Sequence, residues 1–150
     1  MMLRKLLVAF AIAVAFVVFV TLVVTFSFFS YKTSVVVDGK TFNVEVVDTP
    51  ALLQKGLSGH SPLSPNQGML FVFQKQGKYG FWMKDMTFPI DIIWIDANYK
   101  IIHIEKSVSP ISYPKVFYPD SPALYVLEIS SGQSESGSFH VGDSVEFTKK

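Results

Sequence analysis

Cysteine is absent from the 150 residues, which removes disulfides, thiol nucleophiles and thiolate metal sites together. The absence leaves the redox compartment open, because a cysteine-free domain folds on either side of a membrane. Charge of one sign is lacking too. Lys plus Arg is 13 against 12 for Asp plus Glu, a net charge of +1, so there is no basic excess of the kind that neutralises phosphate backbones. Nucleic acid is not an expected partner. Histidine is scarce, and His60 and His103 have no third ligand at metal spacing, so neither a metal nor another cofactor is expected. Ser-His-Asp, Walker and dinucleotide patterns are missing. Gly56-Leu57-Ser58-Gly59-His60 lacks the G-x-S-x-G spacing and following helix of a nucleophile elbow.

No charged residue interrupts the run from Leu6 to Phe29, LLVAFAIAVAFVVFVTLVVTFSFF. As a helix it would be roughly 36 Å long, enough to cross a hydrocarbon core of about 30 Å with some tilt. The rival is a cleaved signal peptide, whose apolar region is about 7 to 15 residues and ends in a small-x-small site. Phe26-Ser27-Phe28-Phe29-Ser30 offers no such site. A retained single-pass anchor over residues 1–33 is the expectation, with the bilayer as its partner. The short basic tail, Arg4 and Lys5, favours the N-terminus inside and residues 34–150 outside the cytoplasm.

The remaining chain has the pattern of a mainly β domain. Val35–Val37 and Thr41–Val47 are β-branched runs divided by Asp38-Gly39, a strong hairpin signal. Asp48-Thr49-Pro50 opens a short helix through Lys55 that Gly56 stops, with Leu52 and Leu53 expected on the sheet. Gly68–Phe73 is apolar on both faces, as a central strand is, and Gln74–Gly80 has the composition of a turn. Phe81–Met83 and Ile90–Ile95 follow as strands, the second with Ile90, Ile92 and Trp94 on one face and Asp91, Ile93 and Ile95 on the other. Ile101–Lys106 is expected to alternate, with Ile102 and Ile104 inward. Ser107–Pro122 carries four prolines and stays out of a sheet interior. Ala123–Ile129 and Val141–Phe147 close the domain. The expected class is α+β and mainly β: a compact barrel-like or two-sheet domain of about seven strands with one or two short helices.

Several ordered motifs carry a resemblance. Gly56-Leu57-Ser58-Gly59, Gly68-Met69-Leu70-Phe71-Val72-Phe73, Phe81-Trp82-Met83-Lys84, Pro89-Ile90-Asp91-Ile92, Tyr125-Val126-Leu127-Glu128 and Val141-Gly142-Asp143 occur in the order seen in the domain-of-unknown-function 192 family. The chain resembles that family over the whole extramembrane stretch. The resemblance implies a compact, mostly β domain, often secreted or membrane-anchored, with no established biochemical activity. Two positions depart from the family pattern: His60 stands where arginine is common, and Asp85 where asparagine is common. Both change the charge of any pocket those loops share.

The richest stretch is Phe81–Asp96, FWMKDMTFPIDIIWID, where charge sits among residues that belong in a core. Asp91 shares its face with Ile93 and Ile95, and a buried carboxylate is costly unless paired. Two roles stay open for it: a ligand-binding or catalytic acid, or a structural carboxylate held by amides of the Lys84–Pro89 segment or by Lys84. Glu128 alternates with Val126 and brings a second carboxylate onto an apolar face. The expected site is noncatalytic, built from Trp82, Lys84, Asp85 and Asp91 and ringed by His60, Glu128, Tyr113 and Tyr118, for an envelope glycan or peptide. One alternative is a glycan hydrolase using Asp91 and Glu128, which requires the carboxyls about 5 to 9.5 Å apart across one cleft. Another is an interaction module for a second membrane protein, built on an exposed apolar patch.

Overall fold

A computed structural model describes residues 33–149. The expected anchor, Leu6–Phe29, lies outside the described residues. Among the described residues, no helix is long and apolar enough to cross a membrane.

The opening hairpin joins β1 (Thr33–Val37) to β2 (Lys40–Val47). Asp38 and Gly39 both have positive φ, 46° and 76°, the two left-handed residues that match a tight turn to the twist of its strands. Thr49 then caps α1 (Pro50–Lys55), with proline at its first turn. One face of so short a helix takes only one of two adjacent leucines. Leu53 packs on the core while Leu52 stays 41% exposed, so the expectation that both would pack holds for one.

Helix α1 carries the chain across to β3 (Gln67–Gly77), which pairs parallel to β2. β3 runs on through the stretch expected as a turn, with a register break between Val72 and Gly77. β5 (Ile90–Ile95), β6 (Ile101–Val108), β8 (Ala123–Ser130) and β9 (Val145–Lys149) complete a seven-stranded sheet of order β6-β5-β8-β3-β2-β1-β9. β4 (Phe81–Trp82) and β7 (Val116–Phe117) form a separate two-stranded ribbon. Phe81 therefore belongs to a ribbon laid on the core and not to the main sheet. α2 (Gln133–Ser136) is a single turn before β9. β9 begins at Val145, because Val141–Gly142 is an exposed turn.

The sheet curls until its two edges meet at one end. Lys100 bridges Ser144, the Ile101 amide donates to the Asp143 carbonyl at 3.0 Å, and the Val145 amide donates to Tyr99 at 2.9 Å. The product is a half-barrel with a buried cluster on each face. Met69, Phe71, Ile92, Trp94 and Val126 lie on one; Phe42, Leu70, Ile93, Ile95, Leu127 and Ile129 lie on the other. Each such side chain contributes about 1.5–3 kcal/mol by leaving water, and strict alternation is what serves both faces at once. β6 is the exception. Its pairing slips between Trp94↔His103 and Ile95↔Ile101, so Ile102 and Ile104 pack on opposite faces instead of one.

Candidate functional site

Two carboxylates enter this sheet from neighbouring strands. Asp91 of β5 stands opposite Ile129 of β8, and Glu128 stands opposite Ile92. Side chains of paired residues share a face, so the two acids project to opposite sides. They form no pair across a cleft, and the hydrolase reading based on them is lost.

Asp91 is fully buried and fully bonded. Its Oδ1 accepts from the amides of Ser107 at 2.8 Å and Gly132 at 3.1 Å, and its Oδ2 accepts from the Ser134 amide at 2.9 Å and hydroxyl at 2.7 Å. It ties the end of β6 and the turn of α2 to β5. The donors anticipated in Lys84–Pro89 are not the ones used, because that segment lies beyond the other face. Asp91 is a structural carboxylate and leaves the list of binding residues.

Glu128 is the opposite case. It is 5% exposed, set between Met69 of β3 and Ile92 of β5, and its Oε2 has no hydrogen-bond partner among the described residues. Burial pushes its carboxyl up to about 8 from an ordinary 4.5. It lines a cavity of about 140 Å³.

Five of the fourteen lining residues are aromatic. Phe71 and Phe73 come from β3, two residues apart and so on the Glu128 face; Phe81 and Trp82 are β4 of the ribbon, and Tyr79 lies in the irregular segment that leads into it. Phe73 and Tyr79 stack at 3.5 Å and 7°, and Phe81 meets Phe71 edge-on at 4.8 Å. The Trp94 indole donates to the Tyr79 carbonyl at 2.9 Å and fixes that wall from behind. Gly80 is required by space: a Cβ there would lie 2.5 Å from the Tyr118 ring. The remaining wall is the end of α1 and its loop, Leu53–Ser58, with Met86. Ser58 Oγ donates to the Lys84 carbonyl at 2.8 Å, and the Gly59 amide to the Asp85 carbonyl at 3.1 Å. Asp85 takes a φ of 55° to present that carbonyl, a conformation Asp and Asn tolerate better than other side chains.

The expected site residues thus divide. Glu128 and Trp82 line the cavity; Tyr113 meets Trp82 edge-on at 6.4 Å, and Tyr118 lies on Gly80. Trp82, Tyr113 and Tyr118 are each about half exposed, at 48%, 47% and 56%. Lys84 and Asp85 have exposed side chains and serve the site through their carbonyls. His60 is not among the lining residues; its amide closes the loop by donating to Leu57. Phe71, Phe73, Tyr79 and Phe81 stand outside the expected set, although the period-two run Met69, Phe71, Phe73 already places two of them on one face. Among the described residues, no group of three or more His, Cys, Asp or Glu is placed to hold a metal ion.

Comparison with known proteins gives a family and a fold. The domain-of-unknown-function 192 family, described as uncharacterized ACR, matches residues 33–147. A crystal structure from Sinorhizobium meliloti, described as a candidate transcription regulator, is 27% identical with a TM-score of 0.71, covering 79% of this chain and 95% of that one. A protein of unknown function from Novosphingobium aromaticivorans is 28% identical with a TM-score of 0.70, covering 76% and 82%. No curated protein matches the chain.

Proposed function

Because the chain belongs to the domain-of-unknown-function 192 family, whose description assigns no activity, we propose its function from the cavity: noncatalytic binding of one group of an envelope glycan or peptide in the Glu128 pocket. The observation that carries this reading is the Glu128 Oε2, buried without a partner among the described residues beside a cavity lined in part by five aromatic residues. A buried polar atom left unpaired costs about 1–3 kcal/mol, and a ligand that draws the Glu128 carboxyl to the cavity surface and bonds it recovers that cost. The half-exposed Trp82, Tyr113 and Tyr118 supply stacking area for the rest of the ligand. Anchorage by Leu6–Phe29, with the domain outside the cytoplasm, is part of the proposal and rests on that apolar run. The regulator described for the Sinorhizobium meliloti structure is not carried over, since a net charge of +1 provides little attraction for a phosphate backbone.

The test is the melting temperature of the full chain in detergent, recorded against a panel of envelope glycans and peptides. A ligand that binds only the folded state raises it. The expected result is a rise with one ligand class that is reduced in Trp82→Ala. A panel that moves nothing, or a rise that Trp82→Ala leaves intact, sinks the reading.

A further inference from the structure

The lining of the cavity restricts what group it accepts. Five of its residues, Phe71, Phe73, Tyr79, Phe81 and Trp82, carry aromatic rings, and one, Glu128, carries a carboxyl group. Rings attract cations through their quadrupoles, and a carboxylate within the same enclosure supplies the counter-charge. We propose that the pocket, taken as the binding site argued above, receives an alkylammonium group: a lysine side chain, a peptide amino terminus or a quaternary ammonium headgroup.

Size agrees with this. A cavity of roughly 150 Å³ holds benzene, and a trimethylammonium head with its attached carbon has one heavy atom fewer. The space here, about 140 Å³, takes such a group and leaves the rest of the ligand on Trp82 and Tyr113.

Competing charges are few. β3 and β5 present Met69, Phe71, Ile92 and Trp94 to Glu128, none of them charged. Tyr79 directs its hydroxyl away, to the Lys75 carbonyl at 2.6 Å. Lys55 is the one cation among the lining residues and its side chain is exposed, so solvent screens its repulsion of an incoming ammonium. In the empty pocket Glu128 holds a proton at neutral pH, since burial lifts it to about 8. Binding a cation releases that proton. The release costs about tenfold in affinity at pH 7 and nothing well above pH 8.

Isothermal titration calorimetry on the full chain in detergent tests this with two matched pairs of probes, choline with 3,3-dimethylbutan-1-ol and butylamine with butan-1-ol, plus N-methylacetamide. The expected result is that at least one cation binds tenfold or more tighter than its uncharged partner. Its affinity should rise about tenfold from pH 6 to 7 and level off above 8, with a proton released, as read in buffers of different ionisation enthalpy. Glu128→Gln should weaken cation binding tenfold or more. The choline and butylamine arms separate a headgroup from a lysine or amino terminus. Equal binding of the uncharged partners, or binding of N-methylacetamide that Glu128→Gln retains, overturns the ammonium assignment while the pocket reading stands. If no probe binds and no member of the glycan and peptide panel shifts the melting temperature, both fall.

Discussion

Asp91 and Glu128 sit one residue out of register on adjacent strands of one sheet, and both are at least nine-tenths buried. Their surroundings could hardly differ more. Asp91 receives four hydrogen bonds from backbone amides and one serine hydroxyl, whereas Glu128 leaves an oxygen unpaired beside aromatic rings. Burial alone therefore does not mark a functional acid. The difference lies in what the fold places opposite the charge: donors where the carboxylate holds elements together, and no donor among the described residues where Glu128 lines the cavity.

Removing each acid breaks the comparison in opposite directions. Asp91→Ala strands the amides of Ser107, Gly132 and Ser134 in a closed site, and charged hydrogen bonds contribute about 1.5–3 kcal/mol each before compensation. A loss of about 4 kcal/mol in urea unfolding is expected, with the turn of α2 released first. A loss under about 1 kcal/mol would mean that water replaces Asp91 and that its donors are not a structural clasp.

Glu128→Gln should stabilise. The folded protein holds the Glu128 proton up to about pH 8, while the unfolded chain releases it near 4.5. Between those values the folded state binds more protons, so stability is greatest below pH 4.5 and falls as pH rises toward 8. Glutamine removes that fall. The variant should match the parent near pH 4 and exceed it by about 3 kcal/mol at pH 7, measured as urea midpoints across the range. Parallel profiles for the two proteins would show that Glu128 is hydrated or paired in solution.

The fold was legible where the determinant is local. Asp38-Gly39 fixes a turn from two residues, and alternation over Ile90–Ile95 assigns both faces of β5 correctly. The site was half legible, because its parts meet through pairings distant in sequence. Asp91 takes its donors from 16 to 43 residues away, which no local pattern reveals, so its role as a clasp was visible only as one of two options. Glu128 stood out as a carboxylate on an apolar face. That this face is also the face of Phe71 and Trp94 depends on the register of β8 between β3 and β5. The slip in β6 shows the same limit: Ile102 and Ile104 are spaced for one face, and a bulge sends them to two.

Trp82→Ala sharpens the comparison by separating binding from folding within the pocket. The indole is 48% exposed and belongs to a two-residue strand, so its removal should change stability by less than about 1 kcal/mol and leave the pH dependence set by Glu128 in place. A ligand that stacks on it should nevertheless bind roughly two- to tenfold more weakly, since an aromatic contact contributes roughly 0.5–1.5 kcal/mol. The informative quantity is the coupling. If Trp82 and Glu128 hold the same ligand group, the affinity losses of Trp82→Ala and Glu128→Gln should fail to add in the double variant by about 0.5 kcal/mol or more, whereas losses that add exclude a shared group and place Trp82 on a separate part of the ligand.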